Sequence, residues 1–216
     1  MTSPKGGSPI DSNSDARLAL VLASESPRRR DLLAKAGIIP DLIVPARIDE
    51  TVSKGEIPRA YVKRMALAKA DAVASQWQGG AALILAADTV VACGRRILPK
   101  ATTDDAVRYC LEILSGRSHQ VLTAVAIHNP DGSVISRTGS TRVVFARLSH
   151  ENVGMYVASG EGLGKAGGYA VQGQAEKFIR RINGSYSNIV GLPLFYTLQL
   201  LQGCGYLVAK QSVGAA

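Results

Sequence analysis

The run Ala81-Ala82-Leu83-Ile84-Leu85-Ala86-Ala87 is the longest uninterrupted apolar stretch of the chain, and it ends on a charge at Asp88. It is far short of the roughly 20 residues needed to cross a bilayer. A fully apolar segment of strand length has no face to offer water, so it predicts a strand covered on both sides, the arrangement found in α/β sheets. A chain of 216 residues buries such a core unaided. With 46% hydrophobic and 19% charged residues the composition is globular. That excludes a collagen-like repeat, a charged coiled coil, or disorder over most of the length.

Around this strand the pattern alternates. Leu18 to Ala23 reads as a strand, and Ser24-Glu25-Ser26-Pro27 as the turn into a helix that runs through Leu32, Leu33 and Ala36 to Gly37. Asp41 to Val44 resembles a second strand, and Pro58 to about Gln76 a long helix. After Asp88-Thr89, Val90-Val91 leads into a hairpin through Gly94-Arg95-Arg96 and Ile97-Leu98, and a helix spans Thr103 to Leu114. His119 to His128 and Val134 to Leu148 form an antiparallel pair about the turn Asn129-Pro130-Asp131-Gly132. Ser149 to Ala158 is helical, Gly160 to Gly173 a glycine-rich connection, Lys177 to Ile182 a strand, and Leu192 to Leu201 a closing helix. The expected fold class is α/β, with a mixed, strongly twisted central sheet flanked by helices. A single domain is expected over 18–208, with a disordered tail at 1–17 and a flexible tail at 209–216. The tail at 1–17 lacks the apolar core of a signal peptide, so the expected compartment is the cytoplasm, with no membrane partner.

Charge narrows the partners. There are 25 Lys plus Arg against 17 Asp plus Glu, a formal charge of +8, which favours an anionic ligand. The basic residues are scattered and only 5% of residues are aromatic, leaving few platforms on which bases could stack, so no stable nucleic acid complex is expected. Cys93, Cys110 and Cys204 lack metal-ligand spacing and read as reduced thiols. His119, His128 and His150 are isolated and read as structural or exposed.

Three places carry chemistry. In the first turn, Ser26 suits an N-cap and Pro27 the first helical position, so free backbone N–H groups point into a crevice suited to anions. Arg28, Arg29 and Arg30 there oppose the helix dipole unless an anion sits among them; simple solvated ion pairs are the alternative. Arg29 projects from the same side as Leu32 and Leu33, and Arg28 lies about 100° round the helix. Lys69 falls on the apolar stripe of Val62, Met65 and Val73, so its ammonium either snorkels to the rim or reaches a phosphate. Asp88, where the apolar run stops, is a metal ligand or general base at the edge of a crevice, or else a turn or cap residue. Glu50 offers a second hard oxygen, and two carboxylates with substrate phosphates suit Mg²⁺. Gly162-x-Gly164-x-x-Gly167 matches a dinucleotide fingerprint but does not open a βαβ unit, so it is discounted.

In combination, Leu22-Ala23-Ser24-Glu25-Ser26-Pro27-Arg28-Arg29, Leu67-Ala68-Lys69-Ala70, Ala87-Asp88-Thr89-Val90, Leu114-Ser115-Gly116-Arg117-Ser118-His119, Lys165-Ala166-Gly167-Gly168-Tyr169-Ala170-Val171-Gln172-Gly173 and Ile182-Asn183-Gly184-Ser185-Tyr186-Ser187-Asn188 resemble the Maf family of nucleoside triphosphate pyrophosphatases, from Leu18 to about Leu201. The resemblance implies two lobes around a nucleotide cleft, like that of inosine triphosphate pyrophosphatases. It implies hydrolysis between the α- and β-phosphates, with the Tyr-Ala-Val-Gln-Gly loop resembling the branch that acts on dTTP and UTP. Asp88 would be the proton acceptor and, with Glu50, would hold Mg²⁺ or Mn²⁺. Ser24, Arg28, Arg29, Lys69 and Lys100 would bind the phosphates, and Arg28, Thr89 and Gln172 would set substrate specificity. A homodimer is implied as well. The other reading the resemblance leaves is a non-catalytic regulator of septum formation. The chain departs from the usual pattern at Glu25, at Ala101 in place of Pro, and at Gly164 in place of an acidic residue.

Overall fold

In the computed structural model the chain is described over residues 18–206, so the tails expected at 1–17 and 209–216 lie outside the described residues. The strands are β1 (Ala19–Leu22), β2 (Leu42–Ile43), β3 (Ala82–Cys93), β4 (Arg96–Leu98), β5 (Lys100–Ala101), β6 (Ser118–His128), β7 (Val134–Phe145), β8 (Lys165–Ala166) and β9 (Ile179–Asn183). The helices are α1 (Pro27–Lys35), α2 (Pro58–Ala74), α3 (Asp104–Leu114), α4 (His150–Ala158), α5 (Tyr186–Val190) and α6 (Leu194–Gly203). Six strands lie in the order β2-β1-β3-β6-β7-β9, with β4 hydrogen-bonded to β3 as the seventh. β1 pairs in parallel with β2 and β3, and every other pairing in this sheet is antiparallel, so the sheet is mixed as expected.

The apolar run is buried on both faces, for the reason its composition requires. Ile84 and Ala86 pack with Val62, Met65 and Ala66 of α2, while Leu83, Leu85 and Ala87 pack with Leu32 and Leu33 of α1 and Leu200 and Leu201 of α6. A third cluster joins Val91, Val121 and Phe145 to α3, α4 and the glycine-rich segment through Val107, Tyr156 and Tyr169. Helix starts follow the sequence signals. Pro27 and Pro58 occupy first-turn positions, and the Thr103 and Ser149 side chains accept from Ala106 N and Asn152 N. Ser26 takes the N-cap position of α1 but its side chain makes no cap bond; instead the Ser24 hydroxyl accepts from Ser26 N, at 3.2 Å.

Several expectations are corrected. Asp88 does not end its strand: β3 runs twelve residues, because β6 pairs with it from Ile84 to Ala92 and β4 from Val91 onward. What stops beside Asp88 is the parallel neighbour, since β1 ends at Leu22 opposite Leu85. Asp88, Thr89 and Val90 therefore lie on a stretch of strand edge that neither β1 nor β4 covers. The strand expected from Lys177 begins two residues later, because Gln174–Phe178 is a 3₁₀ turn whose i, i+3 spacing buries Ala175 and Phe178 together. The closing helix starts after Pro193, and α5 precedes it, ended by Gly191 at φ 126°.

Candidate functional site

A cleft of about 390 Å³ opens along the uncovered edge of β3, between the first turn of α1, the side of α2 and the glycine-rich segment. A second concavity of about 620 Å³ adjoins it and shares Arg28, Glu50, Lys69, Lys100 and Lys165. One end of the cleft is charged. The other is apolar, walled by Val91, Leu98, Val121, Tyr169 and Ile189.

At the charged end, Lys69 Nζ lies 2.6 Å from Asp88 Oδ1 and 2.7 Å from Glu50 Oε1. The Lys69 and Asp88 side chains are 11% and 10% exposed, whereas Glu50 is half in solvent at 52%. Lys69 thus keeps its stem on the apolar stripe of α2 and finds its partner in two carboxylates, not at the rim. Burial pushes the Asp88 carboxyl above its usual range, opposed by Lys69 and Arg29. Glu50 sits on an irregular segment and is anchored by its carbonyl, which accepts from the Tyr61 hydroxyl at 2.8 Å. The two carboxylates converge on one point already filled by a cation. Among the described residues no group of three or more His, Cys, Asp or Glu comes together, so this pair is a partial ligand set of hard oxygens. It fits a divalent ion that takes its other ligands from phosphate and water.

Arg29 follows the helical geometry inward, and its guanidinium forks across the molecule. Nε donates to Gly191 O at 2.8 Å, one terminal nitrogen to Ser24 Oγ at 3.0 Å and the other to Thr89 Oγ1 at 3.3 Å. Ser24 accepts from Arg29 and from Ser26 N, leaving its own proton for a ligand. Arg28, round the helix, makes no ion pair or side-chain hydrogen bond among the described residues and lines both concavities. Burial draws both guanidiniums below their ordinary value, the mark of cations removed from water.

Lys100 is exposed at the start of β5 and also lines the cleft. Ala101, where the resemblance has Pro, is buried in β5, pairs with Lys165, and its carbonyl accepts from Gly164 N at 2.7 Å. The short β5–β8 ladder thereby brings in Lys165, which sequence reasoning did not single out. Burial draws the Lys165 ammonium down, and Arg28 and Lys100 add to that by repulsion. Its signal was a lysine in a glycine-rich segment, with no counter-charge at Gly164. Glu25 is exposed at the mouth of the second concavity. Of the candidate residues, Ser24, Glu50, Lys69, Asp88, Thr89, Lys100 and both arginines are brought together here; Gln172 is exposed and does not line the cleft.

A mixed sheet with its cleft off the open edge of the central strand, cationic at one end and apolar at the other, defines an α/β protein built to hold an anion with an apolar body. The fold matches the solved structure of the Staphylococcus aureus Ham1 protein, with TM-score 0.51 and 15% identity over 86% of this chain and 98% of that one. The chain belongs to the Maf family, whose model, described as Maf-like protein, matches residues 19–204. Among its relatives, a dTTP/UTP pyrophosphatase of Paramagnetospirillum magneticum is 57% identical over 87% of this chain and 97% of its own length. Another dTTP/UTP pyrophosphatase, from Caulobacter vibrioides, is 57% identical over 87% of this chain and 96% of its own. No described helix is long and apolar enough to cross a membrane.

Proposed function

We propose that this chain is a hydrolase that cleaves dTTP and UTP between the α- and β-phosphates, releasing the nucleoside monophosphate and pyrophosphate. The observation that carries the reading is the convergence of Glu50 and Asp88 beside Arg28, Lys100 and Lys165, at the charged end of a cleft whose other end is apolar. An anion-binding regulator has no use for paired carboxylates among its arginines; hydrolysis has. The relatives named dTTP/UTP pyrophosphatase support the substrate class.

In this reading the triphosphate lies along Ser24, Arg28, Arg29, Lys100 and Lys165, whose fixed positive charge favours the build-up of negative charge on the leaving pyrophosphate. Lys69 exchanges its carboxylate partners for a phosphate oxygen. Asp88, whose proton affinity is raised by burial, takes the proton from the attacking water as its carboxylate. Glu50 and Asp88 would hold Mg²⁺ or Mn²⁺, which supplies charge neutralisation at the phosphates. The base rests on the apolar wall, with Thr89 reading its polar edge and Arg28 contributing to specificity. The same reading takes the protein as cytoplasmic and as a twofold homodimer.

The test is pyrophosphate release from dTTP, UTP, CTP, GTP and 7-methyl-GTP with Mg²⁺ or Mn²⁺, for the wild type and Asp88→Asn. Metal-dependent turnover of dTTP and UTP is expected, falling at least about 100-fold in the variant, the lower bound for loss of a general base. A fully active Asp88→Asn would remove Asp88 from the mechanism, and absence of turnover on every triphosphate would remove the enzyme.

A further inference from the structure

The hydroxyl of Thr89 has its hydrogen-bonding polarity set from behind. Thr123, on β6 directly opposite Thr89 and fully buried, donates its only hydroxyl proton to the Asn188 carbonyl at 2.8 Å, since a carbonyl oxygen has none to give. Its contact with Thr89 Oγ1, at 3.0 Å, is then possible in one direction: Thr89 donates and Thr123 accepts. That spends the only proton Thr89 has. The remaining partner of Thr89 is Arg29, a donor that lacks any acceptor, at 3.3 Å. What the Thr89 oxygen has left for the cleft is a lone pair.

The arrangement is rigid. The Asn188 side chain is itself fixed, donating to Val121 O at 2.9 Å and to Thr141 Oγ1 at 3.1 Å, and both Asn188 and Thr141 are fully buried. No solvent reaches Thr123 to supply a different partner. On the cleft side, Gly191 leaves the approach open: a Cβ there would stand 3.5 Å from Thr89 Oγ1. Thr89 is partly exposed, and it lies where the charged end of the cleft meets the apolar end.

We infer that Thr123 is a specificity-positioning residue, holding Thr89 as an obligate acceptor so that the cleft admits at this point only a ligand group carrying an N–H or O–H donor. The inference rests on the pyrimidine triphosphate reading for the identity of that group. Thymine and uracil present a donor at N3, where cytosine presents a lone pair, and the other donor common to dTTP and UTP is the sugar 3′-hydroxyl. A lone pair facing a lone pair forfeits a hydrogen bond and leaves both atoms desolvated, so a substrate without the donor is disfavoured.

The experiment compares kcat/KM for dTTP, dCTP and 3′-deoxythymidine triphosphate in the wild type, Thr123→Val and Thr123→Ser. Valine keeps the shape of Thr123 but removes its oxygen, which frees the Thr89 proton to turn into the cleft. Wild type is expected to discriminate by at least about tenfold, the worth of one net hydrogen bond, in the dCTP arm if the ring is read or in the 3′-deoxy arm if the sugar is read. Thr123→Val should collapse that discrimination by about tenfold, and Thr123→Ser should restore it. Unchanged ratios in both arms for Thr123→Val would overturn the inference, whatever its stability or absolute rate, because a packing role moves all substrates alike. Should Thr123→Val fail to fold, Thr89→Val removes the same acceptor from the cleft side, and discrimination retained there overturns the inference equally. If the wild type hydrolyses no triphosphate, the earlier reading fails by itself. The same ratios, measured as dissociation constants of the three nucleotides by calorimetry, then decide this one.

Discussion

Replacing Lys69 with methionine isolates the contribution of its charge, because the methionine side chain fills the same place on the apolar stripe of α2. The ammonium lies 2.6 Å from Asp88 with both side chains about nine-tenths buried, so little of their attraction is screened by solvent. Removing one partner of such a pair strands the other, at about 3 to 5 kcal/mol. Arg29 still acts on Asp88, which places the expected loss near the lower figure, about 3 kcal/mol. Glu50, half in solvent, adds little. In a domain of this size about 3 kcal/mol corresponds to a fall of roughly 6 to 12 °C in Tm. Asp88→Asn in the same background removes the stranded charge, so the double variant should recover most of the loss. The assay is urea unfolding of the four proteins in the presence of chelator and without nucleotide. A Lys69→Met protein as stable as the wild type, or a double variant as unstable as Lys69→Met alone, would refute the argument that the pair is a desolvated unit.

Three other outcomes are expected. His119 is 2% exposed, bonded to the Tyr169 hydroxyl at 2.8 Å, and lowered by burial to about 4, so it folds neutral. Stability should fall by about 3 kcal/mol as the pH drops from the unfolded-state value near 6.5 to the folded value, and His119→Phe should lack that slope in acid unfolding curves. Gly167 has φ 66°, and a Cβ on it would lie 2.7 Å from Val91 Cβ, so Gly167→Ala should cost about 2 to 4 kcal/mol by urea denaturation, with near-wild-type stability counting against the close approach. Arg29→Lys removes a fork that meets three acceptors at once, and kcat/KM for dTTP should drop at least about 100-fold; a loss under tenfold would show that a point charge suffices there.

Much of this was legible in the sequence because the signals were local. Hydrophobic period placed α2 and the apolar core of β3, Pro27 and Thr103 marked helix starts, and Asn129-Pro130-Asp131-Gly132 marked the long hairpin. Arg29 was aimed correctly because counting along a helix fixes direction. What stayed hidden depends on contacts distant in the chain. The β5–β8 ladder has two residues per strand and exists only because Lys100 meets Ala166 and Ala101 meets Lys165. The position of Asp88 in mid-strand is decided by where its neighbours stop, which its own flanking residues do not encode. Lys69 stood out as a charge on an apolar stripe, but nothing nearby in sequence named Asp88 as its partner. Thr123 carried no signal at all, since a threonine in a strand is ordinary until its hydroxyl is traced to Asn188.

The fork of Arg29 joins residues 162 positions apart in the chain. During synthesis the first turn of α1 emerges early with Arg28 and Arg29, long before Gly191 leaves the ribosome to receive Nε. A chain that stops short of Gly191 therefore carries the basic turn but lacks the acceptor that aims this arginine. Docking of the last two helices is what brings that acceptor to the arginine, so the site is assembled only when the far end of the domain has packed.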